Sequence, residues 1–466
     1  MKEGQIYDIV VIGGGPAGMA AAWSARQSGV ERILILEREN RLGGILGQCI
    51  HNGFGIGLYD QDYTGPEYAE LWMEKIENEQ IEVRCGVNVY DISRNADKNY
   101  VVFSMGREIG LKAYETKAVI LACGCRERTL GQMRIPGSRP AGVFMAGSAQ
   151  YMINMQNLKI GNSAVIMGFG DIGLIMARRM SLEGIKVKLV FGEHANGLNR
   201  NYLQCIKAFG IECRLHYTLL STHGYQRLKG ITIAPRDGHG QIDFSKKEYI
   251  PCDTLLVAAG LIPETELGKK LGLQFQADHG ICTDENGMAS EEGIFACGNI
   301  TEIADLVDKV TMAGMKTGQA CAFWLNSKKE KKIQNAYDKQ IPYRPSKMND
   351  CLLKENESVC ILCPNGCKLV KKGDHMEGFL CERGKRSYDS GQCGENIKMI
   401  FTTTVKVAGE KEQMLSVRSR EQITAEQMFK IMKSLRKFSA EKPVYSGQCL
   451  GEWEGIKIFS TQTLIN

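Results

Sequence analysis

The stretch YDIVVIGGGPAG, residues 7–18, decides how the rest of the chain is read. It begins as an apolar run of strand-forming residues and ends as a glycine-rich turn. The glycines fall as Gly13-x-Gly15-x-x-Gly18, a spacing that means little alone. Here an alanine-rich helical stretch follows, and then RILILE, a second strand ending in Glu37. Strand, turn, helix and strand supply the βαβ context in which the spacing carries chemistry. Gly13 permits a tight turn, Gly15 lets the backbone approach a pyrophosphate, and Gly18 lets helix and strand pack closely. The helix opening at Pro16 and Ala17 turns free N–H groups toward phosphates. Glu37, beside Arg38, is placed to accept hydrogen bonds from an adenosine ribose.

The form recurs. SAVIMGFGDIG at 163–173 repeats strand and turn, with Gly168, Gly170 and Gly173 in the fingerprint and Asp171 and Ile172 opening the helix. Each copy is followed by an apolar strand ending in Ala-x-Gly: KAVILACG at 117–124, with Ala122 and Gly124, and DTLLVAAG at 253–260. Strands alternating with helical stretches predict an α/β protein with parallel sheets. The copies differ at the distal acid. After the second turn the strand IKVKLVFGEH has Phe191 or Gly192 at that position, with Glu193 late. There is no arginine pair there to read a 2′-phosphate, and Arg178 and Arg179 lie on the helix instead. The reading favours NAD(H) over NADP(H), with a vestigial second domain as the alternative.

Composition narrows the class. Apolar residues make up 43% and charged residues 24% of 466, which is ordinary for a globular protein. No apolar run approaches the roughly 18 residues of a membrane span, and GGGPAG interrupts anything resembling a leader. A net charge of +5 is too weak to imply nucleic-acid binding. Residues 327–400 hold 15 Lys or Arg against 10 Asp or Glu, so the whole surplus sits in that segment. Seventeen cysteines, an odd number, predict a reducing, cytoplasmic setting, where thiols bind metal or do redox chemistry more often than they staple.

The thiols sort unevenly. A disulfide reductase needs a CxxC or CxxxxC pair, and after RLGG at 41–44 there is only Cys49, in GQCIHNGFG. Cys49 and His51 are the candidates for proton or redox work, against the alternative of a packed loop. The C-terminal third carries Cys360-x-x-Cys363-Pro-x-Gly-Cys367 and then Cys381. Three close cysteines and a distant fourth match iron–sulfur ligation better than the paired CxxC of zinc sites. The expectation is a 4Fe–4S cluster, with zinc as the alternative. Cys351 and Cys393 flank the set and are less suited as ligands. Beyond it, MIFTTTVKV at 399–407 reads as a strand. Thr424 and Gln427 form a capping box that opens a helix with Met428, Ile431, Met432 and Leu435 on one face.

GGGPAG with its distal acid, RLGG with Gly43 and Gly44, and GIFACGN at 293–299 with Gly298 and Asn299 resemble the FAD site of flavoproteins with two dinucleotide folds. LGGILGQCIHNGFGIG, CGCRERTLGQMRIPGSRPAG, GFGDIGLIMARRM and FACGNITEIADLVD are similar to one branch of them. That branch holds FAD/NAD oxidoreductases found beside anaerobic glycerol-3-phosphate dehydrogenases, related to the alpha subunits of hydrogen cyanide synthase and sarcosine oxidase. The tail resembles a small cysteine-containing domain that in related systems is a separate partner. The resemblance implies an FAD domain at 1–125 and 266–326 with an NAD(P) domain inserted at 126–265. A linker at 327–349 and an α+β cysteine domain at 350–466 complete the expected chain. It also implies electron transfer between NAD(P)H and a flavoprotein dehydrogenase partner, in an oligomeric assembly. The competing readings are a self-contained flavin reductase or oxidase with a zinc tail, and a non-catalytic nucleotide-binding scaffold or redox sensor.

Overall fold

A computed structural model of the chain describes residues 6–326, 345–348, 353–354, 357–373, 375–389, 397–409 and 413–465. The chain divides into two compact units. The first comprises Met1–Cys49, Phe54–Arg126 and Leu261–Pro342, and the second Ile50–Gly53, Glu127–Gly260 and Tyr343–Asn466.

The first unit is built on the strand Tyr7–Ile12, which runs parallel to Ile33–Leu36 on one side and to Gly110–Leu121 on the other. Glu82–Arg84 extends the sheet beyond Ile33–Leu36. The 12-residue strand Gly110–Leu121 serves two partners because its halves differ. Its polar first half pairs antiparallel with Tyr100–Gly106. Its last four residues, Ala118–Leu121, are fully buried and sit between parallel strands. A run apolar on both faces suits the centre of a parallel sheet, where both faces are covered. The fingerprint helix Pro16–Gln27 lies against the helix Val307–Leu325 at glycines. A Cβ at Gly314 or Gly318 would collide with the carbonyl oxygens of Ala17 or Ala21.

The second unit repeats the plan. Its parallel sheet runs Val143–Met145, Thr254–Val257, Ser163–Met167, Lys186–Gly192 and Cys213–Leu215. An antiparallel three-stranded sheet, Tyr217–Gly224, Leu228–Pro235 and Glu248–Pro251, packs beside it. The tail belongs to this same unit. The expected linker at 327–349 lies mostly outside the described residues. The helix Asp171–Leu182 presents Arg178 and Arg179 to the tail. Both are buried, each 5% exposed. Arg178 donates to the Ile400 carbonyl oxygen (2.9 Å). Arg179 donates to Asn154 Oδ1 (2.7 Å), Thr403 Oγ1 (2.9 Å) and Thr404 Oγ1 (3.1 Å) and pairs with Glu183 (2.7 Å). Leu182 enters the tail's own core.

Within the tail, Met399–Val407 is a strand and Thr424 caps the helix Ala425–Leu435 with Gln427, as the sequence predicts. Met428, Ile431, Met432 and Leu435 are all buried on one face. That helix packs on a five-stranded sheet of Ser439–Ala440, Met399–Val407, Met414–Ile423, Ile456–Ser460 and Cys449–Trp453. A separate hairpin, Glu357–Val359 with Lys368–Lys372, frames the cysteine run.

Candidate functional site

The first glycine turn leaves one space open. Gly13 has φ +105°, a conformation side chains rarely adopt, and a Cβ there would strike the Ala122 carbonyl oxygen. Gly18 backs onto the Gly13 carbonyl oxygen and the Ala122 methyl. Above Gly15 nothing lies within 4 Å of where a Cβ would stand. The helix it caps has no side-chain cap. Its first N–H groups are therefore left to an external acceptor. The RLGG segment closes one side of this cradle. Gly43 N donates to the Gly14 carbonyl oxygen (2.9 Å), and a Cβ at Gly44 would stand 3.2 Å from Gly15 Cα.

Glu37 is 4% exposed and fixes the same turn from the next strand. Its Oε2 accepts from Gly14 N (2.6 Å) and its Oε1 from Glu39 N (2.8 Å). Each carboxylate oxygen keeps a second lone pair for a ribose hydroxyl. Arg38 is exposed and pairs with Glu39 at 3.7 Å. Gly124 also has positive φ, at the end of its Ala-x-Gly strand. Gly298 packs on Ala17, where a Cβ would come within 2.7 Å of the alanine methyl. Asn299 is occupied internally, accepting from Ala304 N (3.1 Å) and donating to Cys125 Sγ (3.6 Å). These residues fit a dinucleotide: open space over a glycine, uncapped helix N–H groups and a buried acid on the next strand.

The second turn has the same skeleton. Gly168 N donates to the Phe191 carbonyl oxygen as Gly13 N donates to that of Leu36. That equivalence puts Gly192 at the position of Glu37. Gly173 backs onto the Gly168 carbonyl oxygen and the Ala258 methyl. Glu193, the late acid, is turned to Arg236 at 2.9 Å. The closing role passes to the loop after the strand. Gly197 N donates to the Phe169 carbonyl oxygen (2.8 Å), and Leu198 N and Asn201 Nδ2 donate to Asp171 Oδ1 (2.7 and 2.8 Å). Asn196 Oδ1 stands 3.5 Å from where a Gly170 Cβ would be. Asp171 is thus engaged by its own chain, and Ile172 is partly buried against the second unit's core.

The thiols near the first turn are held protonated. Burial pushes Cys49 and Cys123 up to about 12. A thiolate nucleophile needs the opposite environment, a cationic and partly open one. Cys49 falls in the first unit and His51 in the second, where His51 Nδ1 lies 3.0 Å from the Asn52 carbonyl oxygen.

At the cysteine hairpin, Cys360 N donates to the Cys367 carbonyl oxygen (3.0 Å), and Gly366, at φ +49°, turns the loop with its N–H on the Cys363 carbonyl oxygen (3.2 Å). The helix Glu382–Asp389 brings Gly384 beneath two sulfurs. From a Cβ there, Cys360 Sγ would be 3.3 Å and Cys381 Sγ 3.8 Å away. Burial raises the pKa of Cys363, and a backbone hydrogen bond at Asn365 opposes it. Cys360 and Cys381 thus both lie beside Gly384. Among the described residues, however, no three His, Cys, Asp or Glu side chains are close enough to hold a single ion. Cys351 and Cys393 lie outside the described residues.

Sequence reasoning missed two groups. Asn196 carries no motif. Asp308, whose pKa burial raises, accepts from Gly57 N (2.8 Å) and meets Tyr68 Oη (3.5 Å), fixing the loop after residue 54. Nothing in the spacing of residues 57, 68 and 308 announces it.

Comparison with known proteins follows the same division. A family model described as pyridine nucleotide-disulphide oxidoreductase matches residues 7–335. A second, described as a protein of unknown function (DUF1667), matches residues 386–461. The chain is 31% identical over 288 residues to the hydrogen cyanide synthase subunit HcnB of Pseudomonas protegens, covering 57% of this chain and 59% of that one. It is 25% identical over 320 residues to an opine oxidase subunit of Agrobacterium tumefaciens, covering 64% and 62%. The chain thus spans about 60% of the length of these relatives. Thioredoxin reductase of T. acidophilum aligns with a TM-score of 0.55 at 23% identity, over 69% of this chain and 99% of that one, a likeness of fold. Among the described residues no helix is long and apolar enough to cross a membrane.

Proposed function

The chain belongs to the pyridine nucleotide-disulphide oxidoreductase family and is an FAD-dependent oxidoreductase. From that premise we propose that it moves electrons between NAD(H) and a partner flavoprotein dehydrogenase through FAD and an iron–sulfur centre. The partner's substrate in this reading is glycerol 3-phosphate, taken from the resemblance of the strings between residues 42 and 308. The observation that carries the proposal is the pair of equivalent glycine turns, one with an open cradle and a buried distal acid. FAD, when bound, converts between two-electron nicotinamide chemistry and single-electron carriers.

The chain's own residues have separate tasks. The N–H groups of the helix at Pro16–Gln27 and the backbone at Gly15 hold the FAD pyrophosphate, and Glu37 orients the adenosine ribose. Gly168, Gly170 and Gly173 hold the nicotinamide nucleotide. Cys360, Cys363, Cys367 and Cys381 hold the metal centre. Zinc bonded to four thiolates at about 2.3 Å draws the sulfurs into a tight tetrahedron. The spacing of three close cysteines and a distant fourth supports a multi-iron cluster over a single zinc ion. The buried, protonated Cys49 and Cys123 support transfer to a partner over disulfide reduction. Relatives named as subunits of hydrogen cyanide synthase and opine oxidase support a multi-subunit setting.

The test is anaerobic. NADH should bleach the bound flavin, NADPH should do so more weakly, and purified protein should contain iron and acid-labile sulfide. Flavin that stays oxidised at saturating NADH and NADPH overturns the nicotinamide half. Zinc without iron or sulfide overturns the cluster.

A further inference from the structure

The helix Asp171–Leu182 buries two adjacent arginines on unequal terms. Arg179 has a carboxylate and three side-chain acceptors, so that each of its nitrogens is engaged. Arg178 is just as enclosed, at 5% exposed. Its Nη2 donates to the Ile400 carbonyl oxygen (2.9 Å) and meets Met428 Sδ (3.7 Å), while its Nε is enclosed without a hydrogen-bond partner. Among the described residues no carboxylate pairs with it. Glu183, on the same helix, is taken by Arg179 (2.7 Å). Asp171, at the helix start, accepts from Leu198 N and Asn201 Nδ2. Burial holds Cys205 as a thiol, its pKa pushed up to about 12. A buried cation without a counter-charge is costly to a fold, so the surroundings of Arg178 call for an anion that the chain does not supply.

Arg178 lines a small cavity whose walls all belong to the second unit. Most of the wall is apolar, from Ile50, Ile175, Met176 and Leu182. Thr402 adds a buried polar residue from the tail strand Met399–Val407. The free space admits little more than a water-sized group. Size, charge and polarity together select the occupant. A water molecule leaves the cation uncompensated. Phosphate brings more charge than one guanidinium offsets, and Arg179 has no nitrogen to spare. A dicarboxylate buries a second charge with no cation to meet it. A small monocarboxylate answers each demand: its oxygens accept charge-assisted hydrogen bonds from a guanidinium, and its apolar end suits the aliphatic wall.

We propose that this cavity is a binding site for a small monocarboxylate of the formate or acetate class, with Arg178 as its counter-charge. The inference depends on neither the nicotinamide nor the metal reading above. Arg178 joins the fingerprint helix to the tail strand through Ile400, so an anion held there braces the tail on the second unit. A ligand that binds only the folded chain raises its stability with concentration.

The experiment uses the full chain with its flavin, in buffer free of carboxylates. It is titrated with sodium formate, acetate, succinate, phosphate and chloride at matched ionic strength, and binding heat and denaturation midpoint are recorded. Formate or acetate should bind saturably, one per chain, and raise the midpoint with concentration, while the other three should not. Arg178→Met should weaken that binding on the order of tenfold or more, the scale of a hydrogen bond to a charged group. Ile175→Phe, which fills the cavity and leaves the charge in place, should abolish it. Wild type that binds neither formate nor acetate overturns the proposal, and so does an equal response to chloride, phosphate or succinate. Unchanged binding in folded Arg178→Met overturns it as well. If Arg178→Met does not fold, Ile175→Phe decides: lost binding supports the site, and binding retained at wild-type strength overturns it.

Discussion

At Gly13 and at Gly168 the backbone meets the same obstacle, an alanine carbonyl oxygen on the neighbouring strand, and takes the same positive φ to pass it. Three residues after the middle glycine the resemblance still holds, with Gly18 and Gly173 each backed by the first glycine's carbonyl and an alanine methyl. The turns part company above the middle glycine. The space over Gly15 is open and Glu37 fixes the turn from the next strand. Over Gly170 stands Asn196, the distal position is Gly192, and the turn is fixed by Asp171 and its own loop. The same local sequence thus supports two cradles of different readiness, and what differs is supplied by residues 20 to 30 positions downstream.

The helices behind the turns differ as well. The first leans on glycines of Val307–Leu325, so close that no side chain intervenes. The second leans on the tail through two buried arginines. One contact is backbone against backbone, the other a network of charge-assisted hydrogen bonds. The first is stabilised by dispersion and close approach, the second only while every partner is in place.

The largest expected effect comes from closing each turn separately. Gly18→Val should leave the chain without flavin, seen as loss of the visible absorbance, because the new methyls strike the Gly13 carbonyl oxygen. Gly173→Val should keep the flavin and lose bleaching by NADH. If Gly173→Val also releases the flavin, the two cradles are not independent and the comparison fails. Next is Arg179→Ala, which removes the cation beside Glu183 and a donor from Asn154, Thr403 and Thr404. Breaking a buried pair of this kind costs about 3–5 kcal/mol, read as a lowered denaturation midpoint. An unchanged midpoint would show that the tail does not depend on this network. The smallest is Asn196→Ala. Clearing the space over Gly170 should tighten NADH binding by about two- to fivefold, on the scale of one net hydrogen bond, with flavin content unchanged. Weaker binding would instead make Asn196 a nucleotide ligand.

Much of the fold was legible in the sequence because it rests on local periodicity. Apolar strands leading into glycine turns announced both parallel sheets, and the capping box at Thr424 and Gln427 announced the tail helix. The late acid Glu193 could be seen to be out of place, and the structure shows it bound to Arg236. The attachment of the tail was not legible. Arg178 and Arg179 read as helix surface, and only the strand at Met399–Val407, more than 200 residues away, buries them. Asn299 matches a motif for flavin contact, and what the sequence leaves unseen is that its side chain also bonds Ala304 N and Cys125 Sγ.

The sequence by itself determined the two βαβ turns, the residue types that cradle a pyrophosphate and the spacing of four cysteines, because each depends on neighbours within a few residues. Only the tertiary structure decided which cradle stands open, which acid is spent and what buries Arg178 and Arg179. Those outcomes depend on side chains brought together from distant segments, and a buried charge has no meaning until the fold chooses what lies beside it.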